Sequence, residues 1–239
     1  MTEKKIKAEK VSISLGNGQS VTGILQIPGN LKKGKADAFI IAHGQGNGMT
    51  HPLLVTVAEG LSRAGYPTLR FNFPYKEKGQ ENPDKKDKLY LAWESAARFI
   101  MADSGLKPKR LFAAGKSLGG RIAAHMTAEG LLQPDGLIFL GYPLHPMGDT
   151  EKAKSEHFAN IRVPMLFFAG TRDPFCNLML LKKIFSDMDL VDRSHLEVID
   201  RGDHSFEVPK SLYIPTGDIY THILKKTLVW LDKNFPRGK

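Results

Sequence analysis

Six short, nearly all-apolar runs alternate with longer segments along most of the chain, and this alternation constrains the fold more than any other feature. The runs cover residues 38–42, 68–73, 111–114, 137–140, 165–169 and 196–199. Runs of this length without polar alternation are typical of strands buried on both faces of a parallel sheet. The sequence therefore predicts six parallel strands joined by right-handed crossovers.

The segments between these runs have the length of helices and cover residues 51–64, 85–101, 118–131, 178–188 and 218–234. Ahead of the first buried run, residues 11–15 and 21–27 alternate apolar and polar side chains around Gly16-Asn17-Gly18, a pattern typical of a β-hairpin. We therefore expect an α/β fold: an eight-stranded, mostly parallel sheet with an antiparallel N-terminal hairpin, helices on both faces and no large cap.

The length and composition are those of one globular domain. With 239 residues, 41% of them hydrophobic, the chain can bury one substantial core, and no low-complexity linker divides it. We predict a single domain over residues 1–239. Cys176 is the only cysteine, which excludes an internal disulfide and fits a cytoplasmic location. No apolar run is long enough to span a bilayer, so we expect no membrane association.

The net charge of +9 raises the question of nucleic-acid binding. The lysines are scattered over several loops rather than aligned on one helical face, and no DNA- or RNA-binding motif is present. We therefore expect no nucleic-acid partner. The charge by itself is explained by solubility or by an acidic substrate.

The pentapeptide Gly115-Lys116-Ser117-Leu118-Gly119 matches G-x-S-x-G where a buried run ends and a helical segment begins. The serine of a nucleophile elbow sits on a strained turn in this context, and glycines two residues away remove side chains that would collide. The order of strand, turn and helix favours Ser117 as a nucleophile. The alternative is a serine that only caps the helix after a glycine turn.

Two phosphate-binding motifs compete for the same glycines. Gly115-Lys116-Ser117 ends like a Walker A loop, but Arg110 stands where that loop needs its first glycine. The stretch 44–49 resembles a dinucleotide-binding turn, but Met49 replaces its third glycine and no acidic ribose partner follows at the expected distance. Neither motif is complete, so we predict no cofactor.

The glycine-rich stretch after the first buried run is a candidate for part of an oxyanion hole. Acyl transfer needs two backbone N–H groups aimed at the developing oxyanion. The residue after the nucleophile, Leu118, supplies one, and we predict that Gln45 in His43-Gly44-Gln45-Gly46 supplies the other. A glycine turn without a catalytic part is the alternative.

A serine nucleophile requires a base, and the base requires a carboxylate that orients it. Asp173 and His204 each follow a buried run, in the chain order serine, acid, histidine that accompanies this elbow. Because the carboxyl ends of parallel strands meet at one edge of a sheet, we predict a catalytic triad of Ser117, Asp173 and His204. An Asp-Pro turn and a surface-loop histidine are the alternatives.

The other histidines fit the role of base less well, since most of them fall within helical segments, begin a strand or precede Ser117. His145 is harder to dismiss. It lies beyond a buried run in Tyr142-Pro143-Leu144-His145-Pro146, so it is a candidate for facing the substrate without acting as the base.

No H-E-x-x-H motif or comparable cluster of ligands is present in the sequence, so we predict no metal site.

With these residues in place, the chain resembles the α/β-hydrolase superfamily over nearly its whole length, and in particular its dienelactone-hydrolase-like branch. His43-Gly44 and the segments 115–121, 142–146 and 170–175 resemble a narrower group, which includes testis-expressed hydrolase-like proteins and a chromatin acetyltransferase-complex subunit. The resemblance implies the fold and a triad but no known substrate. Dienelactone hydrolase proper uses a cysteine nucleophile where this chain has Ser117, which argues against dienelactone as the substrate.

These residues predict hydrolysis of an ester or related acyl bond of a small substrate through an acyl-enzyme, in a shallow cleft. We expect substrate contacts from His145, Tyr142, Tyr75 and Phe175. An anionic substrate would be favoured if Lys116, Arg121 and Arg172 face the cleft, but each of them also has a structural explanation on a helix start or a turn.

The alternative function is that of a binding or scaffold protein without turnover, because some chains of the resembling group act within complexes. The oligomeric state is left open.

Overall fold

The computed structural model describes residues 5–29, 31, 34 and 36–237. Over these residues the strands are β1 (Ile6–Ser14), β2 (Ser20–Pro28), β3 (Ala38–Ala42), β4 (Thr68–Phe71), β5 (Leu111–Lys116), β6 (Gly136–Leu140), β7 (Met165–Gly170) and β8 (Ser194–Ile199). The α-helices are α1 (Pro52–Arg63), α2 (Pro74–Glu77), α3 (Lys86–Arg98), α4 (Leu118–Ala128), α5 (Leu178–Asp187) and α6 (Thr216–Asn234). From β3 onward, strands and helices alternate as predicted.

The strands form one sheet in the order β1-β2-β4-β3-β5-β6-β7-β8. β2 pairs antiparallel with both β1 and β4, and the remaining neighbours are parallel. The predicted eight-stranded, mostly parallel sheet with an antiparallel N-terminal hairpin is therefore confirmed. The strand order reverses at β3, so the carboxyl ends of β3 and β5 border the crevice where open α/β sheets bind ligands.

Alternate side chains of the central strands enter two different cores, because successive residues of a strand point to opposite faces of the sheet. In β3, Ile40 belongs to the core shared with α3, α4 and α5, whereas Phe39 belongs to the core shared with α1 and α6. Helices thus cover both faces, as predicted. This is why the central strands are apolar along their whole length.

The connection between β6 and β7 spans residues 141–164, and its regular structure is limited to two short 3-10 turns, Thr150–Lys152 and Glu156–Asn160. The connection is tied to the segment after β7, because the backbone N–H groups of Leu144 and His145 donate to the carbonyl of Phe175 at 2.9 and 3.2 Å. The expectation of no large cap is confirmed, and the carboxyl edge of the sheet stays open.

Element ends differ from the prediction where local chemistry decides them. β4 ends at Phe71 instead of Phe73, because Phe73 precedes Pro74, and this proline begins the short helix α2, which the sequence pattern did not predict. β1 begins at Ile6 rather than at Val11, because its whole length pairs with β2. These shifts leave the order of the elements unchanged.

The C-terminal helix α6 packs by one face. In α6, the buried residues include Ile219, Ile223 and Trp230, which pack towards the sheet and α1, whereas Val229 is exposed. Within the described part of the chain, no helix combines the length and the hydropathy needed to cross a bilayer.

Phe112 lies in the central strand β5, is fully buried, stacks on Phe39 with ring centroids 4.9 Å apart and meets Phe235 edge-on at 4.8 Å. We expect Phe112→Ala to lower the free energy of unfolding by about 3–5 kcal/mol, because it leaves a cavity between these rings. Urea denaturation measures this loss. Val229→Ala, on the exposed side of α6, is the control and should change stability by no more than about 0.5 kcal/mol. If both variants lost a similar amount of unfolding free energy, the proposed packing of Phe112 between the two rings would be contradicted.

Candidate active site

Ser117 stands at the turn between β5 and α4 with φ 48° and ψ −113°, a backbone conformation that residues with a side chain rarely adopt. Neighbouring elements hold it there. Its N–H donates to the carbonyl of Leu140 at 3.3 Å, and its own carbonyl accepts the N–H of Arg121 at 3.0 Å. The end of β6 and the first turn of α4 therefore fix the position of the serine.

Two glycines make this turn possible by letting backbone segments approach closely. A Cβ at Gly115 would lie 2.2 Å from the nitrogen of Gly120, and a Cβ at Gly119 would lie 2.7 Å from the carbonyl oxygens of Ala42 and His43. These neighbours are backbone atoms, which cannot swing aside as a flexible side chain would. The start of α4 is thus pressed against the end of β3.

A continuous chain of hydrogen bonds joins the three predicted triad residues. The Nδ1–H of His204 donates to Oδ2 of Asp173 at 2.8 Å, and the Oγ–H of Ser117 donates to Nε2 of His204 at 2.9 Å. The carboxylate can only accept, so it keeps the proton of the imidazole on Nδ1 and the lone pair of Nε2 towards the serine. Asp173 follows β7 and His204 follows β8, so the sheet brings the three residues together.

The carboxylate of Asp173 is fully enclosed, since its side chain has 0% exposure. Its second oxygen, Oδ1, accepts the N–H of Phe175 at 2.8 Å. The ring of Phe175 lies 4.8 Å from the imidazole of His204. Both carboxylate oxygens therefore have donors, and the histidine is held by packing as well as by its hydrogen bonds.

The peptide group between Gly44 and Gln45 lies beside the serine, because a Cβ at Gly44 would be 3.3 Å from Cβ of Ser117. Its carbonyl accepts two hydrogen bonds, from Nδ1–H of His43 at 2.8 Å and from the hydroxyl of Tyr75 at 3.3 Å. In a trans peptide the C=O and N–H groups point in opposite directions, so the Gln45 N–H points away from these two donors. His43 and Tyr75 thus orient this N–H.

The two predicted oxyanion donors, Gln45 and Leu118, line the same cleft as Ser117 and His204. Among the described residues, no backbone carbonyl accepts the N–H of Gln45 or of Leu118. Both N–H groups are therefore available to a ligand in the cleft.

The cleft has a volume of about 980 Å³ and is bounded by α3, α4, the connection between β6 and β7, and Phe175. His145 also lies in its wall, as predicted. Its Nδ1–H donates to the carbonyl of Pro146 at 2.8 Å and its Nε2 accepts the N–H of Asn177 at 2.9 Å. Because both ring nitrogens are engaged with backbone groups, His145 holds the wall together, and it is not placed to act as the base.

Two predicted substrate contacts do not line the cleft, and this is a correction to the sequence analysis. Tyr142 is buried below it, with its hydroxyl 2.8 Å from Nε2 of His157. Tyr75 is also buried, and its hydroxyl serves the Gly44 carbonyl. Both tyrosines follow strand ends, but their large apolar rings are drawn into the core while their hydroxyl groups find partners there.

The three basic residues considered in the sequence have different environments. Arg121 lines the cleft, whereas Arg172 does not. Lys116 is buried, and its Nζ donates to the carbonyl of His204 at 3.3 Å. Burial lowers the pKa of the Lys116 ammonium, and the charge of Asp173 opposes this shift.

The wall of the cleft also contains polar residues that the sequence did not predict there: Lys86, His125, Lys152 and Lys154. They come from α3, from α4 and from the connection between β6 and β7. No sequence motif links residues so far apart in the chain. Only the packing of these elements brings them to one cleft.

Cys176 follows Asp173 by three residues, but its thiol is not prepared to act as a nucleophile. The thiol is buried, and burial, together with the charge of Asp173, raises its pKa to about 12. A thiol in this environment stays protonated near neutral pH, and the reactive form of cysteine is the thiolate.

Comparison with known families agrees with this fold. The profile of the family described as an alpha/beta hydrolase domain matches residues 35–231. The chain therefore belongs to the α/β-hydrolase family.

Solved structures support the same fold. Dienelactone hydrolase from Anabaena variabilis is 20% identical with a TM-score of 0.68, and the match covers 96% of this chain and 98% of that chain. A putative dienelactone hydrolase from Klebsiella pneumoniae is 17% identical with a TM-score of 0.71, covering 95% and 98%. The esterase domain of a Rhodothermus marinus protein is 17% identical with a TM-score of 0.68, covering 96% and 98%. The predicted resemblance to dienelactone-hydrolase-like proteins is confirmed, and the narrower group stays a prediction.

Gly119→Ala should destabilise the protein, because its Cβ would lie 2.7 Å from two backbone carbonyls and would force α4 away from β3. We expect a loss of about 1–3 kcal/mol, measured by thermal or urea unfolding. The matched control is Gly217→Ala in the first turn of α6, where a Cβ meets nothing within 4 Å. The control should leave stability unchanged or raise it by up to about 1 kcal/mol. Equal stability of the two variants would rule out the tight contact.

His43 should remain neutral in mildly acidic solution, since burial lowers its pKa from 6.5 to about 4, and its Nε2 accepts the N–H of Phe73 at 3.0 Å. Between pH 6.5 and about pH 4, His43 binds a proton in the unfolded chain but not in the folded chain. The free energy of unfolding should therefore fall as the pH falls through this window. An NMR titration of the His43 ring checks this, and a midpoint near 6.5 would contradict it.

Proposed function

We propose that this chain is a serine hydrolase that cleaves an ester or related acyl bond of a small substrate through an acyl-enzyme. The observation that carries the proposal is the hydrogen-bonded chain from Asp173 through His204 to Oγ of Ser117, which borders the open cleft. Membership of the α/β-hydrolase family supports hydrolysis as the class of reaction. The proposed reaction uses side chains, backbone N–H groups and water, and no cofactor.

In the acylation step, Oγ of Ser117 attacks the carbonyl carbon of the substrate. Nε2 of His204 takes the hydroxyl proton, and the resulting imidazolium is stabilised by the carboxylate of Asp173. When the tetrahedral intermediate collapses, the imidazolium returns this proton to the leaving group. The strained backbone of Ser117 costs folding free energy but presents the hydroxyl at the cleft before any substrate arrives.

The oxyanion of the tetrahedral intermediate carries a negative charge, and we assign its stabilisation to the N–H groups of Leu118 and Gln45. Donors of this kind each contribute a few kcal/mol to the stability of the transition state when they are oriented in advance. The Leu118 N–H is held by the start of α4. The Gln45 N–H is held through its own peptide group, because His43 and Tyr75 bind the Gly44 carbonyl.

Deacylation repeats the same proton transfers with water as the nucleophile. His204 removes a proton from a water molecule, which attacks the acyl carbon, and then returns the proton to Oγ of Ser117. In the part of the chain that the structure describes, no cap covers the carboxyl edge of the sheet, which leaves the acyl-enzyme accessible to water. The open edge also favours substrates that are small or only partly enclosed.

A fluorophosphonate probe tests the proposal without knowledge of the natural substrate. The probe modifies a serine quickly only when a base activates the hydroxyl and oxyanion donors stabilise the charge at phosphorus. We expect the native protein to be labelled at Ser117, located by mass spectrometry. Ser117→Ala should not be labelled, and His204→Gln should be labelled about 100-fold more slowly or worse, as expected when a general base is lost.

Cys176→Ala is the control for thiol chemistry and should be labelled at the native rate, because its thiol is buried and protonated. Circular dichroism of each variant checks that the fold is kept. A folded native protein that resists the probe would overturn the proposal and favour a binding or scaffold protein. Labelling that persists in Ser117→Ala would show that another residue is the nucleophile.

A further inference from the structure

The cleft beside Ser117 carries an excess of positive charge that the proposed hydrolysis does not use. Its wall contains four cationic side chains, those of Lys86, Arg121, Lys152 and Lys154. Among the described residues that line it, the only carboxylate is that of Asp84. A cleft lined predominantly by one sign of charge concentrates ligands of the opposite sign.

Two of these cations are already paired. Nζ of Lys86 lies 2.8 Å from Oε1 of Glu129, and Nζ of Lys152 lies 2.8 Å from Oδ2 of Asp149. Their contribution to the field in the cleft is correspondingly reduced.

The other two cations, Arg121 and Lys154, have no ion-pair partner among the residues that the structure describes. Within the described residues, neither has a carboxylate oxygen within 4.0 Å. The carboxylate of Asp84 does not neutralise them, because it is paired with a different lysine: its Oδ1 lies 3.5 Å from Nζ of Lys88. The unpaired charge of the cleft therefore resides mainly on Arg121 and Lys154.

Both residues are held on fixed backbone close to the nucleophile. The N–H of Arg121 donates to the carbonyl of Ser117 at 3.0 Å, which places Arg121 one helical turn beyond the serine, a rise of about 6 Å. In the connection between β6 and β7, the N–H of Lys154 donates to the carbonyl of Leu144 at 3.1 Å. Both charges act on a third lining residue, His125, whose pKa is lowered first by burial and then by Arg121, Lys86 and Lys154, while the charge of Glu129 opposes the shift.

We infer that the cleft selects substrates that carry an anionic group, a carboxylate or a phosphate, bound by Arg121 and Lys154 while the ester carbonyl lies at Ser117. This inference rests on the proposed function and names the substrate class of the same site. The guanidinium of Arg121 has a planar set of donors that matches either anion, and the ammonium of Lys154 adds a second charge. A neutral ester of the same size lacks both interactions.

Matched pairs of esters test this selectivity. In the first pair, the para-nitrophenyl monoester of adipic acid carries a carboxylate at the end of its acyl chain, and para-nitrophenyl hexanoate is its neutral counterpart. In the second pair, para-butyryloxyphenyl phosphate carries the charge on the leaving group, and para-methoxyphenyl butyrate is neutral. We expect kcat/KM to be roughly 10-fold higher for the anionic member of at least one pair. The pair that shows the preference identifies which side of the ester and which anion the site accepts.

The preference should depend on the two unpaired cations and on salt. Arg121→Gln and Lys154→Gln should each lower the ratio of kcat/KM between anionic and neutral esters by about 3-fold, the size of an exposed charge pair. Lys182→Gln, an exposed lysine of α5 outside the cleft, removes the same charge and should keep the native ratio. Raising the ionic strength well above about 0.1 M should reduce the ratio for the native protein.

The outcomes separate this inference from the proposed function. If neutral esters are hydrolysed and no anionic ester is preferred, or if Lys182→Gln lowers the ratio as much as Arg121→Gln, the inference is overturned and the serine hydrolase stands. If no ester is hydrolysed and Ser117 also resists the fluorophosphonate probe, the proposed function fails and the inference fails with it. A preference that disappears in Arg121→Gln and Lys154→Gln supports both.

Discussion

The contact between the β5–α4 turn and the end of β3 is the constraint on which the rest of the site depends. The glycines of this turn let backbone meet backbone at distances that a Cβ would forbid. The contact places Ser117 next to the Gly44 peptide and holds the serine in an unfavourable backbone conformation. Strain of this kind persists only where surrounding structure enforces it, and here β6 and α4 do so through hydrogen bonds.

Hydrogen bonding, rather than position in the chain, separates the roles of three histidines near the cleft. His43 and His145 each give both ring nitrogens to backbone groups, so they stiffen the loops that carry them. His204 instead bridges a buried carboxylate and the hydroxyl of Ser117. A neutral imidazole has one donor and one acceptor, so a ring that serves two backbone groups has no nitrogen left for proton transfer.

The charges of the cleft and the hydrogen-bonded triad are positioned by different parts of the fold. The hydrogen bonds from Asp173 through His204 to Ser117 depend on strand ends that the sheet topology brings together. The unpaired charges depend on how the connection between β6 and β7 packs against α4. Variation in that connection would therefore alter substrate preference while leaving the chemistry of the serine unchanged, which is consistent with a family in which one fold serves many substrates.

The amino-acid sequence by itself determined the alternation of strands and helices of an α/β fold and the identity of the three hydrogen-bonded residues Ser117, His204 and Asp173. Strands buried on both faces must be apolar throughout, and a strained turn that packs on a neighbouring strand needs glycines such as Gly115 and Gly119. Both features are local, so a short stretch of sequence is enough to predict them. Only the tertiary structure decided that Tyr75 and Tyr142 turn into the core, that His145 is bound on both nitrogens, and that Arg121 and Lys154 share one cleft. These outcomes depend on side-chain direction and on contacts between residues distant in the chain, for which a short stretch of sequence carries no periodic signal.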